Sequence, residues 1–312
     1  MRYNYLAGLM VCATLLILGI FLTTNSYDFS RDNPGWNGSS KFFHKLDRYS
    51  TEMIQDIGLL KGKTDSAFLI IAPTGTYSDE EINDIRSFLH GGNTIILADE
   101  TDAGNSLLSG LASSIRIGPF YLAGLDRAYN NSSIIVTNPV TDHPLTAGVE
   151  SLVLDKAKPL TGGQAIIQTG IMSWIDLNSD YRMSSGESFG RYTVLAREQA
   201  GDGELIVLSD SGVFINSMSG LEPEWGNRQF ITNIITYRPK LLIEQVHSRT
   251  ADQNRFGWLA GMVRSDPIIK GLVVLIALLA CAFFLRKRPP DLSFIDPGPV
   301  NILGSADKYQ DV

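Results

Sequence analysis

The sequence predicts an α/β protein whose doubly wound, mostly parallel sheet is flanked by two transmembrane helices. Three observations lead to this prediction. Between residues 27 and 240, apolar runs of strand length alternate with amphipathic helical patterns over short links. Several of these runs are apolar throughout, as is typical of strands buried on both faces of a parallel sheet. Two further apolar segments, 5–22 and 268–285, lie near the ends of the chain.

The two terminal segments are long enough to cross a membrane. The first, 5–22, has no charged residue, and the second, 268–285, has only Lys270. As helices they would each be about 27 Å long, close to the roughly 30 Å of a bilayer core. A cleaved signal peptide is the alternative for the first, although its apolar stretch is long and no A-x-A site follows. A buried core helix is the alternative for the second, although basic residues and two prolines end it abruptly.

The basic residues favour an orientation with both termini in the cytoplasm. Arg286, Lys287 and Arg288 follow the second segment, and such flanks are typical of the cytoplasmic side. We therefore expect a multi-pass protein of the cell membrane with an extracytoplasmic central domain. The predicted parts are a short cytoplasmic N-terminus (1–4), a span (5–22), the α/β domain (27–240), a juxtamembrane segment (241–267), a second span (268–285) and a disordered cytoplasmic tail (286–312).

Composition excludes several classes of function. Hydrophobic residues make up 44% of the chain and charged residues 19%, so the chain is globular and not disordered. The net charge of −7 makes a nucleic acid an unsuitable partner. Both cysteines, Cys12 and Cys281, lie in the terminal apolar segments. The central domain therefore has no disulfide, no thiolate nucleophile and no cysteine metal ligand.

The first elements of the central domain are a helix, a strand and a second helix. The segment 39–49 has its apolar residues on one helical face, and 67–72 is a buried strand. Ser78 and Glu81 have the spacing of a capping box, in which each side chain bonds the backbone amide of the other. The glycine pair 91–92 ends the second helix, where left-handed backbone angles are needed.

The remaining elements continue the alternation of strands and helices. The segment 94–98 is a buried strand with Asp99 at its carboxyl end, and a short helix follows at 105–111. Right-handed crossovers would place such helices on both faces of the sheet. Further strands are predicted at 133–137, 192–198 and 204–209, and a last helix at 226–237.

Several of these motifs carry a resemblance to a known family. From Ala67 the chain reads AFLIIAPTGTYSDEEINDIRSFLHGGNTIILADETDAGNSLL; GDGELIVLSDSGVFINSM and GNRQFITNIITY come later, and DHPLT begins at Asp142. This order resembles the glutamine-amidotransferase-like domains of archaeal and bacterial membrane proteins of unknown function, which are related to auxiliary domains of gliding-type ABC transporters. The resemblance implies a class I glutamine-amidotransferase-like sheet with flavodoxin-like layering. Catalytic relatives use a cysteine that this domain lacks, so the resemblance implies the fold and not the reaction. It also implies MoxR-type ATPases and von Willebrand-type membrane proteins as partners.

The candidate site is the edge of the sheet at which the parallel strands end. Ligands of open α/β sheets bind outside these carboxyl ends. Three polar loops, 74–76, 99–102 and 210–212, are expected to converge there, with Asp142, His143 and Asn216 as neighbours. The alternative is that the aspartates cap helices and bond loop amides. The candidate ligand-binding residues are Thr74, Asp99, Glu100, Asp102, His143, Asp210, Ser211 and Asn216.

Two chemistries are alternatives to simple binding at this edge. The carboxylates could hold a divalent cation, since hard ions take oxygen ligands. Asp99, Asp210 and His143 could instead form a hydrolytic site, provided that they lie within hydrogen-bond reach of one another. No GxSxG, HExxH, GxGxxG or Walker sequence occurs, so the sequence predicts no catalytic residue, no bound metal and no cofactor.

The expected function is a non-catalytic binding or scaffold domain in a membrane complex at the cell surface. The predicted fold, the two terminal segments and the missing nucleophile support it. A surface hydrolase that uses an Asp/His site is the alternative. A transporter is disfavoured, because two spans with hardly a polar residue provide no pathway through a membrane.

Overall fold

The computed structural model describes residues 27–125, 131–221 and 225–251, together with the single residues Leu15 and Leu275. Apart from those two leucines, the predicted spans 5–22 and 268–285 lie outside the described residues, as does the predicted tail. In the part of the chain that is described, no helix has both the length and the apolar character needed to cross a membrane. The flanking transmembrane helices are therefore not shown. Residues 27–251 belong to one compact unit, Ile20–Met262.

An 11-stranded mixed sheet lies at the centre of this unit. The short strands β4 (Arg116–Ile117) and β8 (Leu160–Thr161) pair with each other beside the main run of strands, and β5 (Leu122–Gly124) pairs separately with β10 (Ser173–Ile175). The main run has the order β1 (Thr51–Ile54), β13 (Lys240–Glu244), β2 (Ser66–Ile71), β3 (Thr94–Ala98), β12 (Gly203–Leu208), β11 (Thr193–Ala200), β9 (Gln164–Thr169), β6 (Ile134–Pro139) and β7 (Leu152–Asp155).

The prediction of a doubly wound, mostly parallel sheet is wrong. The strands from β1 to β12 are parallel, but those from β12 to β7 are antiparallel. The described residues between 111 and 202 contain no α-helix. Antiparallel strands need no helical crossover, so this half of the chain runs through hairpins and loops. In β6, buried and partly exposed residues alternate, as is typical of a strand with one face towards solvent.

Four α-helices are described, and they cover both faces of the parallel strands. They are α1 (Ser40–Leu46), α2 (Asp79–His90), α3 (Asp102–Gly110) and α4 (Asn227–Ile235). Phe42 of α1 and Phe230 of α4 belong to one apolar core, and Phe88 of α2 and Leu107 of α3 belong to a second. Alternate residues of the central strands enter the two cores, since successive side chains of a strand point to opposite faces.

The predicted start and end of α2 are confirmed. The Ser78 side chain accepts a hydrogen bond from the Glu81 amide at 3.3 Å, and the Ser78 amide donates to the Glu81 carboxylate at 2.7 Å. The helix ends at His90, and Gly92 follows with a φ of 89°. Local sequence chemistry therefore determines both ends of this helix.

Candidate functional site at the carboxyl edge of the sheet

The register of β3 and β12 brings two predicted acidic loops together. Leu208 pairs with Ala98, so the two strands end side by side. The Asp99 amide continues the pairing and donates to the Leu208 carbonyl at 3.0 Å. Asp99 and Asp210 therefore reach one edge of the sheet, where the sequence analysis expected their loops, and the strands that they follow are adjacent.

Asp99 is fully buried and binds the start of α3. Its Oδ2 accepts hydrogen bonds from the Gly104 amide at 2.7 Å and from the Thr101 hydroxyl at 2.8 Å. Gly104 permits this approach, because a Cβ on that residue would lie 2.4 Å from the same oxygen. The Asp99 Oδ1 is buried and has no hydrogen-bond partner.

Glu100 and Asp210 hold the turn that follows β12. Glu100 Oε2 accepts from the Ser211 amide at 2.9 Å and from the Ser211 hydroxyl at 2.7 Å. Asp210 caps the 3-10 turn Ser211–Phe214, its Oδ1 accepting from the Gly212 amide at 2.6 Å. Its Oδ2 accepts from the Asp155 amide at 2.8 Å. Both Asp210 oxygens are thus occupied by backbone donors.

Burial and the Glu100 charge act together on the two buried aspartates. Burial, followed by repulsion from Glu100, raises the pKa of Asp99 from 3.8 to about 6. The same two causes, in the same order, raise the pKa of Asp210 well above its usual range. These carboxyl groups retain their protons at higher pH than exposed aspartates do.

Thr74 and Asp102 lie at the same edge but at its surface. The Thr74 hydroxyl and amide both donate to the His247 carbonyl, at 2.8 and 2.7 Å, which joins the loop after β2 to the loop after β13. Asp102 is exposed in the first turn of α3, where a carboxylate is favoured by the helix dipole. Neither side chain contacts the Asp99 carboxylate through a hydrogen bond that the structure describes.

Asn216 supports the first loop of the domain. Its Oδ1 accepts from the Lys41 amide at 2.8 Å, and its Nδ2 donates to the carbonyls of Asn33 and Gly35 at 3.0 and 2.6 Å. The residue is buried, so these bonds are protected from water. Its amide group serves the fold and is not available to a ligand.

The structure places His143 at the opposite end of the strands. Its Nε2 lies 3.6 Å from Glu204 Oε1 and 3.4 Å from the Tyr237 hydroxyl, and its Nδ1 accepts from the Leu145 amide at 3.2 Å. Glu204 lies at the start of β12, whereas Asp210 follows its end. At ~3.3 Å per residue, this separation is about 20 Å along the strand.

Glu204 is the centre of a buried cluster that the sequence analysis did not identify. Although burial opposes ionisation, hydrogen bonds from His143, Tyr237 and Arg197 lower the pKa of Glu204 to about 2. Burial and the bond to Glu204 raise the pKa of Tyr237. The cluster joins β11, β12, the loop before β7 and the segment after α4, and no sequence signal connects residues so far apart along the chain.

Two further residues of the carboxyl edge were also missed. Glu244 is buried at the end of β13 and accepts from the amides of Val246, His247 and Ser248 at 2.6–2.8 Å. Its position at the end of the apolar run KLLIE was an available signal. Tyr77 lies in the loop after β2, and its buried hydroxyl has no hydrogen-bond partner. Burial, followed by the charge of Glu244, raises the pKa of Tyr77.

This geometry does not assemble the hydrolytic site considered above. Asp99 and Asp210 lie at one end of the strands and His143 lies at the other. The Ser211 hydroxyl donates to Glu100 and has no histidine base among its described hydrogen bonds. Among the described residues, no group of three or more His, Cys, Asp or Glu side chains could hold a metal ion. The acidic residues of the edge bond loop amides and hydroxyls.

The solved structures that match this chain share little sequence with it. The mmIFT52 N-terminal domain has 13% identity and a TM-score of 0.46, with 68% of this chain and 90% of that domain covered. The β-galactosidases of Bacillus circulans sp. alkalophilus and Rahnella sp. R3 each have 10% identity, with TM-scores of 0.35 and 0.34. Each comparison covers 55% of this chain and 22% of the β-galactosidase. These scores are too low to carry an argument about function.

The family of the chain follows from its sequence. No curated protein matches it. The model of the family described as domain of unknown function (DUF4350) matches residues 31–235, which is more than half of the chain. The chain therefore belongs to the DUF4350 family.

Proposed function

We propose that this DUF4350 domain is a non-catalytic binding or scaffold domain that works in a membrane complex at the cell surface. The proposal rests on the observation that the candidate reactive groups are hydrogen-bonded to other parts of the fold. Both oxygens of Asp210 accept backbone amides, Glu100 holds Ser211, and His143 lies at the far end of the strands. Side chains committed in this way stabilise loops and are not free to act on a substrate.

The resemblance to glutamine-amidotransferase-like membrane proteins remains part of the proposal. It supplies the expected partner classes, MoxR-type ATPases and von Willebrand-type membrane proteins. The expected location, with the domain outside the cell and both termini inside, rests on the apolar segments and the basic run after residue 285.

An exposed apolar patch on the small β5–β10 sheet supports a binding role. Ile171 is 59% exposed, Leu125 is 53% exposed and Met172 is 47% exposed. The three residues adjoin, because the Leu125 amide donates to the Met172 carbonyl at 3.1 Å. Phe189 is also exposed, and its ring lies 5.8 Å from that of Trp174 in β10. Adjoining exposed apolar side chains are characteristic of protein interaction sites.

Photo-crosslinking in native membranes tests the proposal. A photoreactive amino acid at position 171 should form a discrete adduct with another membrane protein. Glu80, which is exposed on α2, is the matched control position and should form none. Ile171→Asp, which charges the patch, should prevent an adduct from a probe at position 189. A correctly folded protein that forms no adduct from positions 125, 171 and 189 would contradict the binding role.

A further inference from the structure

The loop of residues 27–39 exposes a tryptophan side chain at the surface. Trp36 is 72% exposed and Tyr27 is 61% exposed, the two highest values among the exposed large hydrophobic side chains of the described residues. A large aromatic side chain with a polar group is best accommodated where an apolar medium meets water. Tryptophan and tyrosine are enriched at the surfaces of membranes for this reason.

Trp36 is exposed although hydrogen bonds hold its backbone in place. The Ser217 amide donates to the Trp36 carbonyl at 3.0 Å, and Asn216 Nδ2 donates to the Gly35 carbonyl at 2.6 Å. After Trp36, the Asn216 amide donates to the Gly38 carbonyl at 2.6 Å. The ring is therefore presented on a loop that is bonded to the domain before and after it.

The two ends of the domain meet beside this loop. Arg249 Nη2 lies 3.6 Å from Asp28 Oδ2, and its guanidinium carbon lies 4.9 Å from the centre of the Phe29 ring. The Arg249 amide also donates to the Ala72 carbonyl at 3.0 Å, which places these contacts at the carboxyl edge of the sheet. The described domain thus begins and ends on one side, next to the loop that carries Trp36.

The length of chain outside the domain indicates what covers these aromatic residues. The apolar segment 5–22 ends only five residues before Tyr27. Five residues of extended chain span at most about 18 Å. If that segment enters a bilayer, Tyr27 must stay within this distance of residue 22, where the segment ends. The interfacial layer of a bilayer is where both aromatic side chains are most stable.

We propose that Tyr27 and Trp36 insert into the interfacial layer of a lipid bilayer and turn the carboxyl edge of the sheet towards the membrane. This inference rests on the membrane attachment in the proposed function. The loop presents its aromatic rings as a second contact, additional to the apolar segments, and this contact restricts the domain to one orientation.

Lipid-dependent quenching of tryptophan fluorescence tests the contact. The full-length protein is reconstituted in vesicles of phosphatidylcholine with a minor share of phosphatidylglycerol, with and without brominated phosphatidylcholine. The signal of Trp36 is the difference between the wild type and Trp36→Phe. Trp36 is one of four tryptophans. The emission that brominated lipid removes from the wild type should therefore exceed the emission that it removes from the variant by roughly a quarter of the wild-type total. Trp174→Phe is the matched control, since Trp174 is buried and its loss should leave the lipid quenching of Trp36 unchanged.

Iodide in the aqueous phase separates the possible results. Quenching of the Trp36 signal by brominated lipid, with protection from iodide, would support the inference. Quenching of the Trp36 signal by iodide alone would overturn the inference. Protection from both iodide and brominated lipid would also overturn it, because the ring would then be covered by protein. Alkaline carbonate extraction of the same vesicles tests attachment itself. A protein that is fully extracted contradicts the membrane attachment, whereas a retained protein without lipid quenching contradicts only the orientation.

Discussion

Replacing Asp99 with asparagine removes a buried acid and keeps its shape. The asparagine oxygen can take the place of Asp99 Oδ2 and accept the same bonds from the Gly104 amide and the Thr101 hydroxyl. The asparagine Nδ2 then takes the place of Oδ1, which has no partner in the native protein. The substitution therefore changes the ionisation at this position more than it changes the hydrogen bonds.

The expected effect depends on pH. Burial and the Glu100 charge raise the pKa of Asp99 from 3.8 in the unfolded chain to about 6 in the folded protein. The folded protein thus binds the proton more tightly, so the stability contributed by Asp99 is complete below pH 3.8 and is lost as the pH rises through 6. At about 1.4 kcal/mol per pH unit, this loss is about 3 kcal/mol. The asparagine side chain of the variant has no proton to lose, so the stability of Asp99→Asn relative to the wild type should rise by about 2.5 kcal/mol between about pH 4 and about pH 7.

Urea unfolding followed by tryptophan fluorescence measures this difference. Both proteins are unfolded at the two pH values, and the difference in the free energy of unfolding is compared between them. Any packing defect of the variant is present at both pH values and cancels. Asp102→Asn is the control, because Asp102 is exposed in the first turn of α3, the helix that Asp99 bonds, and the substitution should give nearly the same difference at both pH values. A difference for Asp99→Asn that does not change with pH would refute the argument from burial.

Three further substitutions test other parts of the fold. Glu204→Gln should lower the free energy of unfolding by roughly 3 kcal/mol above pH 4.5, because it removes the ionised Glu204 carboxylate. The wild type loses this stability as the pH falls through about 2, so acid unfolding of both proteins measures the difference. Asn227→Ala should lower the free energy of unfolding by roughly 3 kcal/mol, because it leaves a buried amide and carbonyl of β7 unpaired, and urea unfolding would detect it. Gly203→Ala should cost about 3 kcal/mol or more, since its Cβ would lie 1.8 Å from the Leu89 carbonyl oxygen, whereas Gly170→Ala, with open space around it, should leave the thermal midpoint nearly unchanged.

The elements that the sequence predicts well are those whose determinants are local. The buried strands 67–72 and 94–98 are observed as β2 and β3, and the capping box is observed at Ser78. A continuous apolar run, a capping side chain and a glycine pair act on neighbouring residues, so their effects are visible in a short stretch of sequence.

The elements that the sequence did not predict depend on distant partners. The strands β11, β9, β6 and β7 pair side by side in antiparallel fashion, and the pattern of apolar residues in each does not specify which neighbour it will take. β13 lies between β1 and β2 among the parallel strands, although it is the last strand along the chain. Strand order is set by how the complete set of apolar faces can be buried at once, and no single segment contains that information.

The candidate site also has a part that the sequence predicts and a part that depends on distant partners. That Asp99 and Asp210 follow strands and reach one edge was predictable from the sequence, because parallel strands place their carboxyl ends together, but the adjacency of β3 and β12 was not. Only the tertiary structure separates His143 from them and joins it to Glu204, which adjoins the start of the same strands. The sequence by itself determined which reactive side chains the domain contains and showed that it lacks a cysteine. Their distances were decided by the packing of elements far apart along the chain, and distance determines whether such groups act on a ligand or hold the fold together.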